Sequence, residues 1–243
     1  MEECVLRVAE NRPLADRVLR MTLTGEMELP RPGQFAALKI GGFFLRRPIS
    51  VFDADPGRLS IIYKVVGGGT RALSRMQPGE EMNVLTGLGN GYDLDTSGEC
   101  PLLLGGGVGV PPLYYLARRL RERNLPVTAV LGFNTASEVF AAEDFERLGC
   151  RVTVTTADGS AGVRGFVTDA LPEHYSTFYC CGPEPMLRAV CRATVTSGQL
   201  SFEERMGCGF GACMGCSCKT RSGSKRICRE GPVLRKEEIL WND

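Results

Sequence analysis

Histidine is almost missing from this chain: His174 is the only one in 243 residues. A metal site built from several imidazoles is therefore excluded, and His174 itself reads as a loop residue rather than a ligand. An excess of charge of either sign is missing too, with 29 basic against 28 acidic residues and a formal charge of +1. That balance supplies no electrostatic footprint for nucleic acid or an anionic membrane surface, so the expected partners are small molecules or proteins. The first twenty residues hold Glu2, Glu3, Arg7, Glu10, Arg12, Asp16 and Arg17, which leaves no apolar signal-peptide core and points to the cytoplasm. No long hydrophobic run survives inspection either. The longest uncharged stretch, Cys100–Ala117, is interrupted by Pro101, Gly105, Gly106, Gly107, Gly109, Pro111 and Pro112, so it reads as a buried strand entering a glycine-rich turn rather than as a membrane span.

What is present is cysteine, unevenly placed. Five of the eleven fall between Cys208 and Cys228, whereas Cys4, Cys100, Cys150, Cys180, Cys181 and Cys191 are scattered and read as small buried hydrophobes. Crowded thiols in a cytoplasmic chain point to a metal or cluster rather than to disulfides. The length suggests two compact domains with a small appendage. From Cys4 to about Leu85, short strands are expected at Cys4–Glu10, Val18–Thr24, Gln34–Ile40, Pro48–Asp53, Arg58–Val65 and Glu81–Leu85, with one short helix at Thr70–Met76. Their even spacing and Pro-Gly turns predict a small antiparallel β-barrel. Beyond Gly87–Gly91 the rhythm becomes α/β. Strands are expected at Pro101–Gly105, Val127–Gly132, Arg151–Thr155 and Thr177–Cys181, and helices at Leu113–Arg123, Ala141–Leu148, Phe166–Ala170 and Pro183–Ser197. The resulting division is a barrel over 1–97, a parallel-sheet domain over 98–200 and a cysteine-rich domain over 201–243.

The spacing Cys208-x4-Cys213-x2-Cys216, followed after eleven intervening residues by Cys228, matches the plant-type arrangement for a [2Fe–2S] cluster. Two sulfide-bridged irons need two thiolates each, and Gly207, Gly209, Gly211 and Gly215 allow the chain to wrap an inorganic core closely. A structural zinc site is the alternative, although such sites usually pair C-x2–4-C knuckles. Cys218 flanks Cys216 at one residue's remove and competes with it for the third ligand position, for which the x2 spacing favours Cys216.

Leu102-Leu103-Leu104 enters Gly105-Gly106-Gly107-Val108-Gly109-Val110-Pro111-Pro112 just before a helical run. Exposed amides and a helix dipole at such a turn favour a diphosphate. The last glycine of the Rossmann fingerprint is absent, and Phe133-Asn134-Thr135 stands where an acidic residue would close the second strand. A plain tight turn is the competing explanation. Cys181-Gly182-Pro183 makes a second turn into a helix, so the two turns are expected to face one nicotinamide nucleotide. In the barrel, Arg46-Arg47-Pro48-Ile49-Ser50 and Lys64-Val65-Val66-Gly67-Gly68-Gly69-Thr70 combine basic and hydroxyl groups with a glycine loop, a chemistry suited to a diphosphate.

In this order the motifs resemble the ferredoxin–NADP⁺ reductase superfamily. Arg47-Pro48-x-Ser50 looks like its FAD signature, Gly69-Thr70 its flavin-diphosphate helix start, Gly105–Pro112 its pyridine-nucleotide loop and Cys181-Gly182-Pro183 its nicotinamide-side motif; Ile49 replaces the usual aromatic residue. Glu204–Cys213 and Cys228–Val233 narrow the likeness to the electron-transfer subunits of B-type, NAD-dependent dihydroorotate dehydrogenases, over essentially the whole chain. Reductase subunits of hydrogenases, sulfide dehydrogenases and transhydrogenases share the layout. The resemblance implies FAD at Arg47, Pro48, Ile49, Ser50, Lys64, Val65, Val66, Gly69 and Thr70. It implies NAD at Gly105, Gly106, Gly107, Gly109, Cys181, Gly182 and Pro183, with Cys181 beside the nicotinamide and no assigned nucleophile. It further implies an FMN-containing dihydroorotate dehydrogenase catalytic subunit as partner, two copies of each in a heterotetramer, and a place in pyrimidine (UMP) biosynthesis. Electrons would pass from that FMN through the cluster and FAD to NAD⁺. The chain is too short to add an FMN barrel of roughly 250 residues of its own. A flavin-free docking module built on a degenerate reductase is the reading from another class.

Overall fold

The computed structural model describes residues 1–241. The chain begins with β1 (Glu2–Ala15), β2 (Val18–Thr24), β3 (Phe35–Leu38), β4 (Arg47–Asp55), β5 (Arg58–Lys64), α1 (Gly68–Leu73) and β6 (Glu81–Leu88). The six strands close into an antiparallel barrel in the order β1-β2-β5-β4-β3-β6. Period-two side-chain alternation explains the closure. Along β6, for example, Met82, Val84, Thr86 and Leu88 are buried while Glu81 is exposed. Met82 and Val84 join Leu6, Met21, Leu23, Leu38 and Ile61 in the barrel interior. Asn11 ties α1 to this wall, donating to the carbonyls of Leu73 (3.0 Å) and Met76 (3.1 Å) and accepting from the Tyr63 hydroxyl (2.9 Å). It thereby satisfies carbonyls that a short helix cannot pair internally.

The second part contains β7 (Pro101–Gly106), α2 (Pro111–Glu122), β8 (Thr128–Phe133), α3 (Ala142–Arg147), β9 (Arg151–Thr156), β10 (Val163–Arg164), β11 (Thr177–Cys181), α4 (Glu184–Ala193) and β12 (Gly198–Ser201). A hairpin of β13 (Ser217–Thr220) and β14 (Gly223–Arg226) follows, and then β15 (Val233–Arg235). The large sheet runs β10-β9-β8-β7-β11-β12-β15, parallel except for β15. Alternate residues of β7 feed opposite cores. Leu103 packs with Leu113, Leu116 and Leu120 of α2 and Phe145 of α3, whereas Leu102 and Leu104 pack with Leu187 and Val190 of α4. Helices therefore cover both faces, which is why the strands read as continuous apolar runs.

Three sequence expectations change here. The helix expected over Pro183–Ser197 ends at Ala193, where Thr194 is extended and turns its hydroxyl onto the Val190 carbonyl (2.8 Å). The β-branched run Thr194-Val195-Thr196 is a poor helix continuation. The chain then forms β12, a strand the sequence reading missed. Phe166–Ala170 is a single 3₁₀ turn over Val167–Ala170 rather than a helix, and β1 runs well past Glu10 to Ala15.

Because β15 pairs with β12, the cysteine-rich segment is stitched back onto the nucleotide sheet, and Asn90 fastens it to the barrel's exit. The Asn90 amide donates to the carbonyls of Glu230 (3.0 Å) and Val233 (2.7 Å), its Oδ1 accepts from the Val233 N–H (3.1 Å), and its own N–H reaches the Gly231 carbonyl (2.6 Å). Replacing Asn90 by Ala keeps the backbone bond to Gly231 but leaves the partners of the three side-chain bonds unpaired, for a loss of about 2 kcal/mol. Thermal denaturation of Asn90→Ala is expected to show a Tm lower by roughly 4–8 °C, and an unchanged Tm would show that the clasp is dispensable.

Candidate flavin, nucleotide and iron–sulfur sites

The opening residues of β4 are aligned against β3, with Arg47 opposite Leu38 and Ser50 opposite Phe35. They form one wall of a cavity of about 390 Å³. Of the residues expected at FAD, Arg47, Pro48, Ile49, Ser50, Lys64, Val66 and Thr70 all line this cavity. Val65 instead packs against the barrel core. Gly69 lies beneath the site: a Cβ there would come within 2.3 Å of Arg47 Nε, so the missing side chain is what lets the guanidinium cross the start of α1. The Thr70 hydroxyl holds the Val66–Gly67 turn by accepting from both amides (2.9 and 3.1 Å). A cation and exposed backbone at a glycine cradle suit a diphosphate, and the apolar Ile49, Val66 and Phe35 suit a flat ring system.

A second cavity, about 600 Å³, is walled by Gly106, Gly107 and Val108 of the first turn, by Pro183, Pro185 and Met186 of the second, and by Phe133, Asn134 and Glu138 after β8. Gly105 and Gly109 lie behind its surface. A Cβ on Gly109 would approach the Cys181 carbonyl oxygen to 2.3 Å, so that glycine lets the two turns touch, whereas one on Gly105 would meet Val110 at 2.9 Å, so that glycine lets the first turn fold back against the start of α2. Gly182 plays the same part against Gly106 and the Met186 sulfur. Cys181 lines the flavin cavity rather than this one. Burial pushes its thiol up to about 12, helped by the charge of Glu203, which leaves it a neutral packing group. Pro111 and Pro112 occupy the first turn of α2, where their missing N–H groups cost nothing.

The two cavities share Lys64, Val108 and Glu203 as walls. Lys64 sits at the join, its ammonium 3.0 Å from Glu138, which also accepts from the Asn134 side-chain amide at 2.8 Å. Contact with Lys64 is the main influence holding the Glu138 carboxyl below its usual range. Among the described residues no cation pairs with Glu203, and burial raises its carboxyl. Neither Glu138 nor Glu203 was expected at the site. Glu203 lies two residues past β12, the strand the sequence reading missed, and Glu138 lies four residues beyond Asn134, folding back onto it only through a 3₁₀ turn.

In the carboxyl-terminal segment the four cysteines fall into two pairs. The Cys208 sulfur accepts from the amides of Ala212 (3.2 Å) and Cys213 (3.4 Å), and the Cys213 sulfur accepts from Cys208 N (3.4 Å). Across the site, the Cys216 sulfur accepts from Cys228 N (3.4 Å), and both of these thiols are buried. Burial raises the Cys208 thiol, but the surrounding amides, chiefly those of Cys213 and Phe210, outweigh it and bring it down to about 6. Left-handed backbone at Gly209, Gly211 and Met214 turns the loop around the sulfurs. Arg226 holds it from behind, donating to the Gly211 carbonyl (2.6 Å) while paired with Glu230, whose carboxyl is lowered to about 2 by that hydrogen bond. Among the described residues no three metal-ligating side chains converge on a single point. Two pairs of thiols suit a core with two irons better than one tetrahedral ion. Cys218 stands across from Lys225 in the β13–β14 hairpin and packs against the apolar core.

A closed flavin barrel, a parallel-sheet nucleotide domain and a four-cysteine loop opening onto one continuous groove define a ferredoxin-reductase-like oxidoreductase carrying its own iron–sulfur domain. The oxidoreductase NAD-binding domain matches residues 103–192, and the iron–sulfur cluster binding domain of dihydroorotate dehydrogenase B matches residues 203–240. The chain is 42% identical, over 97% of both chains, to the dihydroorotate dehydrogenase B (NAD(+)) electron transfer subunit of Bacillus caldolyticus, and 39% identical over 98% of both to that of Fusobacterium nucleatum. It belongs to the family of dihydroorotate dehydrogenase B electron transfer subunits. Among solved structures it is similar to a chain of an NADH-dependent reduced ferredoxin–NADP oxidoreductase, with a TM-score of 0.88, 29% identity and coverage of 98% and 90% of the two chains. Phthalate dioxygenase reductase, at 17% identity and a TM-score of 0.69 over 91% and 87%, shares the fold.

Two outcomes follow from this geometry. Gly109→Ala should weaken NADH binding tenfold or more, as read by titration, while flavin and iron contents stay at parent levels. Cys216→Ser should abolish the assembled cluster, whereas Cys218→Ser should leave the visible spectrum largely intact; the reverse pattern would mean that the third ligand is Cys218.

Proposed function

We propose that this chain is the electron-transfer subunit of an NAD-dependent dihydroorotate dehydrogenase. It would conduct electrons from the FMN of a separate catalytic subunit, through [2Fe–2S] and FAD, to NAD⁺ in cytoplasmic pyrimidine (UMP) synthesis. The observation that carries this reading is the composition of one cavity: its walls come from the barrel (Arg47–Ser50), the nucleotide sheet (Val108, Cys181) and both arms of the cysteine loop (Met206 before Cys208, Pro232 after Cys228). When bound, FAD supplies the conversion between a two-electron hydride and single electrons. The protein's part is placement: Arg47 and the Gly67–Thr70 turn hold a diphosphate, Gly106 and Gly107 present amides to a second one, and Cys208, Cys213, Cys216 and Cys228 hold the irons.

The division into 1–97, 98–200 and 201–243 serves as the functional one, for flavin, nucleotide and cluster respectively. No helix among the described residues is long and apolar enough to cross a membrane. The proposed assembly is a heterotetramer with two catalytic and two electron-transfer chains. A second reading, as a reductase subunit of another redox complex, is supported by the likeness to the NADH-dependent reduced ferredoxin–NADP oxidoreductase.

Anaerobically purified protein should contain one FAD and two irons per chain, and NADH should bleach its flavin absorbance. Affinity capture of the chain from its own cells should bring down an FMN protein that oxidises dihydroorotate. A flavin-free product would sink the redox assignment, and capture of a different flavoprotein or hydrogenase-type subunit would favour the second reading.

A further inference from the structure

Helix α2 starts at the nucleotide turn and strand β4 starts in the flavin groove, and further along the two are locked together. One guanidinium makes most of the lock. Arg118 Nη1 donates to Asp55 Oδ1 (2.7 Å), Nη2 donates to the Ala54 carbonyl (2.5 Å), and Nε lies 3.0 Å from Asp53 Oδ1. The last pair is misaligned for a hydrogen bond and is held by charge. A turn earlier on α2, the Tyr114 ring stacks on Phe52 of β4 with centroids 4.2 Å apart and planes 12° from parallel. Arg20 of β2 lies over the same Phe52 ring at 4.6 Å and reaches Asp144 of α3 at 3.6 Å. None of these side chains lines either cavity.

We infer that Arg118 is a positioning residue for hydride transfer: by gripping three consecutive residues of the flavin strand from the nucleotide helix, it sets the separation between the nicotinamide and flavin sites. The lever arms are of equal length. Seven residues of helix separate Pro111 from Arg118, about 10 Å, and three residues of strand separate Ser50 from Asp53, also about 10 Å. A rotation of about 5° at the lock therefore displaces one site against the other by about 1 Å, enough to slow a transfer between fixed partners as much as 100-fold. The transfer served moves one hydride, a proton with two electrons, from flavin to nicotinamide in the proposed direction and from nicotinamide to flavin in the reverse reaction that NADH drives. Arginine suits the place because a planar fork reaches three acceptors at once, which a lysine ammonium on a flexible stem does not.

This inference rests on the proposed function, and the test separates the two. Full-length cofactor-loaded protein, as parent, Arg118→Ala and Arg118→Lys, is mixed anaerobically with NADH in a stopped-flow instrument, which yields the limiting rate of flavin reduction and the NADH Kd independently. Arg118→Ala is expected to lower the limiting rate at least tenfold with Kd within threefold of the parent and full FAD and iron content, and Arg118→Lys to recover part of the rate. Hydrogen exchange, followed without nucleotide, should quicken at the amides of 51–55 and of α2. A limiting rate within twofold of the parent overturns the proposal, whether or not exchange has quickened. Should Arg118→Ala not assemble, Asp55→Asn, which removes only the half-exposed arm of the lock, is read the same way; a slowing of threefold or more supports the proposal and an unchanged rate overturns it. Failure of NADH to reduce the parent would instead sink the reading of function.

Discussion

Everything this chain is suited to do depends on the approach of two backbone turns to one another: Gly105–Gly109, leaving β7, and Cys181–Pro183, leaving β11. Those strands are adjacent and in register, with Cys181 opposite Gly105, so the turns emerge side by side at the same edge of the sheet. At Gly109 the backbone runs so close to the Cys181 carbonyl that no Cβ fits. The nucleotide cavity in front of them is a consequence of that contact, because α2 and α4 each begin where a turn ends and are aimed by it, and Val108 and Cys181 carry the same pair of turns into the wall of the flavin cavity beside it.

Around this centre, polar crossings add to the apolar contacts that the barrel shares with the nucleotide domain and the cysteine-rich segment, and together they keep the parts in register. Asn90 joins the barrel's exit to the strand after the cysteine loop, Lys64 joins the barrel to the loop after β8, and Arg118 joins α2 to β4. The location of the crossings matters more than their number. Asn90 and Arg118 are partly shielded from water, where charge-assisted and multiple hydrogen bonds retain strength and where an orphaned partner is costly. The exposed pairs, such as Arg7 with Glu81, contribute little by comparison. Asp53 shows the tension in such an arrangement: burial raises its carboxyl and the Arg118 charge lowers it, so the two side chains depend on one another.

Much of the site was legible from residue types alone, because the chemistry demands particular residues at particular separations. Arg47, Ser50 and Thr70 were singled out through a basic residue, a hydroxyl and a glycine turn, and seven of the nine flavin candidates, these three included, line the cavity. Glu203 and Glu138 were not found. Each is an ordinary acidic residue in sequence, and each reaches the groove only because a strand or a 3₁₀ turn delivers it there. The strand β12 was hidden for a related reason: it lies just past the run Pro183–Ser197, whose apolar pattern suits a helix, and only the extended Thr194 and the pairing of Gly198–Ser201 between β11 and β15 reveal where the helix stops and the strand begins.

The sequence by itself determined the barrel-then-α/β order, the glycine turns and the four cysteines whose spacing suits two irons, because periodicity, backbone permissiveness and ligand type are local properties written residue by residue. Only the tertiary structure decided that Met206 and Pro232, on either side of the cysteine loop, would wall the same cavity as Arg47 and Cys181. It also decided that β15 would return to the nucleotide sheet and that Arg118 would span from the nucleotide helix to the flavin strand. These are contacts between residues tens of positions apart, formed by burial of shared apolar surface and by the pairing of polar groups that such burial strands, and no local pattern announces them.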